Sequence, residues 1–344
     1  MKKKTRKILF TFDYELFLGA RSGTVANCMI KPTNNLIALF DNYKIRHAIF
    51  FVDTTYLLRL KSENSLACKK DLEAIISQLQ MLVNKGHYIF PHIHPHWSDA
   101  IYNKELNQWS LNDYSKYRFH FITESQREEL FDSSIKLLSD IIAPCNLEYD
   151  INGYRAGGWC IQPFRDFKSL FLKYGIKHEF SVIKGFKNIS EAQYFDFSEA
   201  PTENVYPFEE EVCLKNEKGN FRQYTISTIP INTRTYWLNK VWAKYLWKRG
   251  YRSIGDGSGL VIKSNDVLKG KSDLFGSGDR EMVSVELLNS IKLWHYKGYL
   301  KQNDYMHFIS HPKMLSQHNL KCFDKFLEFA SKSFNLETDF RNFE

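Results

Sequence analysis

The sequence has no apolar run that approaches the roughly 18 residues needed to span a bilayer, so it predicts no transmembrane helix. Its six cysteines are scattered and form no CxxC pair, which gives no sign of a disulfide framework or of a cysteine zinc site. The N-terminal MKKKTRK leads directly into the short stretch ILFTF, without the small-residue cleavage site of a signal peptide. We therefore expect a cytoplasmic protein.

Two further absences concern nucleic acid and domain boundaries. We find no recognisable nucleic-acid-binding module, and no stretch is long and polar enough to be an interdomain linker. The sequence therefore predicts one domain over 1–344, with an irregular or inserted region at about 190–235, where the alternation described below weakens. The net charge of +8 is typical of a solubilising surface, but it would also suit peripheral association with an anionic membrane surface.

Apolar strand-like segments alternate with segments of helical spacing. Strands are predicted at 7–15, 47–53, about 176–183 and 305–312. A strand at 87–97 runs into a histidine cluster, a strand and loop are predicted at 149–160, and a strand at 221–230 lies in the irregular region. Helices are predicted at 33–43, 72–83, 123–142, 164–174, 237–249, 284–297 and 319–334. Strands that alternate with helices of this length predict an α/β fold with a parallel sheet or barrel.

The densest cluster of candidate functional residues is PHIHPHW, from Pro91 to Trp97, with His92, His94 and His96 at alternate positions. Histidine is the commonest side-chain metal ligand, and three imidazoles in five residues indicate metal binding. A fully extended chain would hold His92 and His96 roughly 13 Å apart, too far to share an ion. The chain must turn at Pro95 for that pair to bind together, and the spacing alone leaves His92 with His94 as the other possible pair.

The first predicted strand, 7–15, ends in acidic residues. Strand periodicity places Thr11, Asp13 and Glu15 on one face, and two carboxylates there need a cation or solvent. Two other predicted strands end in His92 to His96 and in His311. Functional residues of parallel α/β barrels collect at the carboxyl ends of strands, so these groups are expected to meet. Two histidines and one carboxylate would leave coordination positions open, as a catalytic metal site requires.

Five ordered elements resemble the polysaccharide deacetylases of the NodB-homology type, carbohydrate esterase family 4. They are Thr11-Phe12-Asp13-Tyr14-Glu15, Ala48 to Val52, the set Gly86, His87, His92 and His96, the loop Arg155 to Trp159, and Phe308 to Pro312. The usual second aspartate of the first motif is Tyr14 here, and Glu15 would take its place. The resemblance implies a distorted (β/α)7 TIM-like barrel of the NodB-homology type.

The same resemblance implies roles for individual residues. Glu15, His92 and His96 would hold one divalent metal ion, with zinc as the first candidate, and Asp13 would be the base, His311 the acid and Arg155 the partner of Asp13. Trp97 and Trp159 are candidate sugar-stacking platforms, and His94 is a candidate substrate contact.

The implied activity is metal-dependent removal of an acetyl group from a sugar or cell-surface glycan precursor, as in polysaccharide or lipopolysaccharide biosynthesis. Two alternatives stay open: a catalytically inactive barrel that binds a glycan or acts as a scaffold, and a hydrolase of another amide or glycosidic bond.

Overall fold

The computed structural model describes residues 3–19, 21–111, 113, 115–145, 149–190, 192–230, 251–259 and 280–343. The helix predicted at 237–249 and the end of the irregular region predicted at 190–235 lie outside the described residues. No helix in the part of the chain that the structure describes is long and apolar enough to cross a membrane.

Fifteen strands are described, and nine of them form the main sheet. The strands are β1 Thr5–Tyr14, β2 Ile49–Asp53, β3 Tyr88–Ile93, β4 Ile101–Asn103, β5 Gln108–Ser110, β6 Gly153–Ala156, β7 His178–Glu179, β8 Lys187–Ile189, β9 Tyr194–Asp196, β10 Val205–Phe208, β11 Phe221–Tyr224, β12 Thr228–Pro230, β13 Arg280–Met282, β14 Tyr305–Ser310 and β15 Asn335–Glu337.

The α-helices in the described residues are α1 Lys31–Asn42, α2 Thr54–Ser62, α3 Leu66–Asn84, α4 Glu124–Ile142, α5 Arg165–Tyr174, α6 Ser290–Gln302 and α7 Gln317–Ser333. Several begin at side-chain caps that the sequence supplies. The Thr123 hydroxyl accepts from the backbone of Gln126 at the start of α4, and Asn289 caps α6 in the same way. A π-helical turn, Ala26–Ile30, leads into α1.

Alternation along β1 divides its side chains between two environments. Ile8, Phe10 and Phe12 pack in the large cluster between the sheet and the helices. Leu9, on the opposite face, belongs to a separate aromatic cluster, and Thr11 and Asp13 on that face contact Arg155. The face of β1 that carries Leu9, Thr11 and Asp13 is therefore apolar at the start of the strand and polar at its end.

The main sheet has the order β10-β11-β7-β6-β3-β2-β1-β14, with β15 paired beside β1. The pairs from β11 to β14 are parallel, and β10 runs antiparallel to β11. In a parallel sheet the carboxyl ends of the strands share one edge. The ends of β1, β3, β6 and β14 thus lie together.

The sheet is curled and, among the described residues, its named strands leave it open between β10 and β14. Two backbone hydrogen bonds connect β14 to neighbouring segments: Ser227 N donates to His307 O at 3.3 Å and Ile309 N donates to Val283 O at 3.1 Å. Isolated hydrogen bonds, and not a continuous ladder, therefore connect β14 to the chain segments that follow β11 and β13. The predicted α/β fold with a parallel sheet is present, but the predicted distorted (β/α)7 barrel of the NodB-homology type is wrong in type: the described strands form a curled half-barrel sheet.

Aromatic side chains fill the interior at the end of the sheet opposite the site. Phe340 lies edge-on to Tyr88, Phe180 and Tyr224, with ring centroids 5.3 to 5.7 Å apart. These rings are nearly or fully buried. Such edge-to-face packing gives the polar site a rigid apolar support.

Candidate active site

Asp13 lies at the end of β1 and is held by Arg155 from β6. Arg155 is fully buried, and its Nη1 donates to Asp13 Oδ1 at 2.6 Å. Its Nη2 donates to Thr11 Oγ1 at 2.7 Å, and its Nε to the Phe180 carbonyl at 3.1 Å. Burial raises the pKa of Asp13, but Arg155 and the neighbouring imidazoles outweigh burial and lower it below the usual value. Asp13 is therefore an ionised carboxylate in a fixed orientation.

Glu15 follows β1 by one residue, on the same face as Asp13. Its Oε2 lies 2.9 Å from His94 Nε2, and its Oε1 accepts from Lys313 Nζ at 2.8 Å. Burial raises the pKa of Glu15, yet Lys313 and His94 outweigh burial and hold it well below its usual range. Tyr14 points to the other side of the strand, where its hydroxyl donates to Gln78 Oε1 at 2.7 Å. Tyr14 is thus a packing residue, and Glu15 supplies the carboxylate.

His92 and His94 face one another at the end of β3. His92 Nδ1 lies 2.8 Å from the Arg155 carbonyl, which can only accept, so Nδ1 carries the proton and Nε2 has a lone pair. His94 Nε2 lies 3.1 Å from that His92 Nε2. Burial lowers the pKa of His92 to about 4. Burial also lowers that of His94, but Glu15 outweighs it and raises the His94 pKa. His94 is therefore favoured as the protonated imidazole, and its Nε2 lies beside Glu15 and His92, two other groups that could bind a cation.

Among the described residues, one group of metal-ligating atoms converges: those of Glu15, His92 and His94 lie within 4.8 Å of one another, and all three residues are buried. His96 is not in this group. It lies in the 3-10 turn Pro95–Asp99, where its ring stacks on Tyr117 with centroids 5.3 Å apart. Burial lowers its pKa to about 3. The turn at Pro95 directs His96 away from His92, so the geometry puts His94 where the resemblance put His96.

His311 follows β14 and faces both carboxylates of β1. Its Nε2 lies 3.6 Å from Asp13 Oδ2 and 3.7 Å from Glu15 Oε1. On its other side, Nδ1 lies 3.1 Å from Oε1 of Glu286. Burial lowers the pKa of His311, but Glu286 outweighs burial and raises it. The protonated imidazole is thus favoured beside an ionised Asp13.

Glu286 and Lys313 are the two charged residues that the sequence patterns did not indicate as part of the site. Glu286 is the last residue of the alternating segment REMVSVE, residues 280–286, but a helix was predicted to begin at 284. Lys313 lies two residues after His311, in a short 3-10 turn. Neither has a motif of its own, and both became recognisable only by contact.

The two predicted aromatic platforms lie in different environments. Trp97 is fully buried, with its ring centroid 4.7 Å from that of Tyr56, so its faces cannot receive a sugar. Trp159 is 7% exposed and lies edge-on to His311 with centroids 6.4 Å apart. Its φ of +58° is unusual for a bulky residue and follows Gly158 at +59°. Trp159 therefore stays a candidate for substrate contact, and Trp97 is a core residue.

Asp53, at the end of β2, is a buried acid beside the site. Its Oδ1 accepts from Tyr56 N and caps α2. Burial raises its pKa to about 7. Asp53 is not a member of the converging metal-ligand group and has a structural role as a helix cap.

This chain is similar to known proteins in its structure and not in its sequence. No family model matches the chain, and no curated protein matches it. The GH57-type branching enzyme from Pyrococcus horikoshii is similar, with 12% identity and a TM-score of 0.48, over 100% of this chain and 70% of that one. A GH57 branching enzyme from Thermococcus kodakaraensis gives 11% identity and a TM-score of 0.46, over 98% and 70%. The 4-alpha-glucanotransferase from Thermococcus litoralis gives 10% and 0.44, over 98% and 40%.

These findings correct the assignment made from sequence motifs. The matching structures are GH57 and related glucan-processing enzymes rather than polysaccharide deacetylases, and no family model supports the NodB-homology type. The predicted deacetylase activity, its enzyme class and an acetylated sugar as the partner are therefore wrong as stated. The five short motifs were too few to identify the family, because each consists largely of residues that strand ends of many α/β proteins carry.

Proposed function

We propose that the chain is a carbohydrate-active hydrolase in which Asp13 and His311 are the general base and general acid. The observation that carries the proposal is the 3.6 Å separation between Oδ2 of the buried Asp13 and Nε2 of the partly buried His311, two groups with opposite protonation preferences. A carboxylate kept ionised beside an imidazole kept protonated suits a reaction that removes one proton and supplies another.

The reaction divides between these two groups. Asp13 takes a proton from a water molecule as the water oxygen bonds to the carbon under attack. His311 gives its proton to the oxygen of the leaving group as the bond between that oxygen and the carbon breaks. One water is consumed, and both groups return to their starting protonation when the proton on Asp13 passes to His311. Arg155 orients the base, and Glu286 orients the acid, since each contacts its partner at 2.6 and 3.1 Å respectively.

We further propose that Glu15, His92 and His94 hold one divalent ion, with zinc as the first candidate. One carboxylate and two imidazoles are a donor set that suits zinc and leaves open positions. His92 Nε2 has a lone pair, Glu15 is ionised, and the ligand atoms converge. His94, whose pKa is raised, would release its Nε2 proton when the ion binds. When bound, such an ion supplies Lewis acidity, which makes water more acidic and polarises a substrate oxygen.

The rim supports a carbohydrate as the substrate. Trp159 beside His311 and Tyr117 beside His94 provide aromatic surfaces near the acid and near the proposed ion, with centroids 6.4 and 6.0 Å from the respective imidazoles. Aromatic rings pack against the apolar faces of sugars while polar groups bind their hydroxyls. This combination favours a sugar over a purely apolar ligand.

The test is a substrate panel assayed with and without added zinc. It contains soluble α-glucans, chromogenic glycosides of several sugars and an unrelated chromogenic ester. The wild type should release product from at least one carbohydrate, and Asp13→Asn and His311→Gln should each lose roughly 100-fold or more in turnover. Asp41→Asn, which removes a surface carboxylate paired with Lys85, is the matched control and should retain turnover. Turnover of carbohydrate that survives Asp13→Asn and His311→Gln would overturn the proposal.

A further inference from the structure

Lys313 is a buried cation bound to a proposed metal ligand. Its side chain is 7% exposed, and its Nζ donates to Glu15 Oε1 at 2.8 Å and to the Leu16 carbonyl at 2.6 Å. The ammonium also lies 5.3 Å from the centre of the Phe17 ring. A buried ammonium with a carboxylate, a carbonyl and an aromatic face around it is an ordered part of the structure.

The two oxygens of Glu15 serve different partners. Oε1 faces Lys313, whereas Oε2 lies 2.9 Å from His94 Nε2 and 3.7 Å from His92 Nε2. A fixed cation on Oε1 leaves Oε2 to face His92 and His94. Glu15 is thus charged and oriented without any metal ion.

The backbone around Lys313 fixes this contact. A 3-10 turn, Pro312–Met314, follows His311 at the end of β14, and Gly255 N donates to the Lys313 carbonyl at 3.1 Å. A Cβ on Gly255 would lie 2.4 Å from that carbonyl oxygen, so only glycine permits the approach. The acid His311 and the cation Lys313 are consequently carried by one short, anchored segment.

We propose that Lys313 is a resident counter-ion of the metal site. It is a positioning residue that holds Glu15 in place before metal binds, and its positive charge weakens metal affinity. The inference rests on the proposed function only for the identity of the ligand set. It concerns how tightly that set binds an ion, not which bond is cleaved.

Two effects give the sign. An ammonium on one oxygen of Glu15 repels a divalent ion on the other, because like charges a few ångströms apart in a buried site interact strongly. Removal of Lys313 also leaves Glu15 ionised and buried with one fewer cation, which destabilises the metal-free protein. A bound ion would relieve that penalty. Both effects predict that loss of the ammonium tightens metal binding while it lowers the stability of the metal-free chain.

The experiment measures zinc affinity by competition with a chromogenic chelator, and metal-free thermal unfolding, for the full chain. Lys313→Met and Lys313→Gln remove the charge, and Lys313→Arg keeps it. Lys313→Gln retains an N–H donor toward Glu15, so it serves if Lys313→Met fails to fold. Lys292→Met is the matched control, because Lys292 forms another partly buried ion pair, with Glu281, outside the site.

We expect Lys313→Met and Lys313→Gln to bind zinc about tenfold or more tightly than wild type and to unfold at lower temperature without metal. Lys313→Arg and Lys292→Met should bind zinc as wild type does. Equal or weaker binding by both charge-removing variants overturns the inference while the proposed metal site stands. Binding by those variants but not by wild type supports the inference and shows that the native site needs no ion. If none of the proteins binds zinc, both the inference and the metal part of the proposed function fail.

Discussion

Glu286 contacts His311 twice: its Oε2 accepts from the His311 backbone amide at 2.6 Å, and its Oε1 lies 3.1 Å from Nδ1 of the ring. The first contact fixes the backbone where β14 ends, and the second fixes the ring and its charge. The His311 ring thus lies between two carboxylates, with Nδ1 toward Glu286 and Nε2 toward Asp13. The direction of proton transfer proposed for His311 depends on this arrangement.

Substitution of Glu286 by Gln should lower the pKa of His311, because the raised pKa comes chiefly from this carboxylate. The protonated ring is required as the acid, so turnover falls as pH rises through the His311 pKa. In Glu286→Gln that fall should begin at lower pH than in wild type. NMR titration of the His311 ring and the pH profile of turnover check this, and unchanged titration would contradict the assigned role.

The same pair should affect stability in a pH-dependent way. A group whose folded pKa is raised stabilises the fold fully below its unfolded pKa of about 6.5 and loses that contribution as pH rises through the folded value. The difference in unfolding free energy between wild type and Glu286→Gln should therefore be larger at acidic than at alkaline pH. Urea denaturation at several pH values measures it. A difference that grows with increasing pH would show that another group dominates.

Arg155→Met should destabilise the protein strongly, because it leaves Asp13 buried without its hydrogen-bonded guanidinium and also removes the bond to Thr11. Breaking one partner of a buried pair costs about 3–5 kcal/mol. The double variant Arg155→Met with Asp13→Asn should recover part of this loss, since no uncompensated charge is left. A double-mutant cycle in urea gives the coupling, and strictly additive effects would contradict the pairing.

Much of the site could be predicted from the sequence because strand periodicity and strand ends are local signals. The alternation in β1 put Thr11 and Asp13 on one face, where Arg155 contacts both. The choice between His94 and His96 could not be predicted, because it depends on the direction of the chain at Pro95 rather than on spacing.

Long-range partners escaped prediction for a different reason. Lys313 lies 298 residues from Glu15, and no local pattern reports a contact of that separation. Trp97 looked like a surface platform because it adjoins the histidines, yet it packs against Tyr56 and Trp109. The family predicted from the motifs was wrong for a similar reason, since short motifs at strand ends describe a site without specifying how the sheet closes.

Gly157 should be intolerant of a side chain because it lies against the histidine segment. A Cβ there would lie 2.4 Å from the Ile93 carbonyl oxygen and 2.9 Å from His94 Nδ1. Gly157→Ala should displace His94, weaken zinc binding and destabilise the chain by about 1–3 kcal/mol. Gly298→Ala, within α6 and with open space around it, should instead stabilise by about 0.5–1 kcal/mol. Chelator competition and urea unfolding compare the two variants, and normal zinc affinity in Gly157→Ala would contradict the placement of His94.

The most direct test of the account is the zinc content of purified His94→Ala and His96→Ala beside wild type, measured by elemental analysis after equilibration with zinc and removal of excess. The account predicts about one equivalent in wild type, a similar content in His96→Ala and none in His94→Ala, because His94 and not His96 belongs to the converging group. Retention of zinc by His94→Ala together with its loss from His96→Ala would contradict the proposed site.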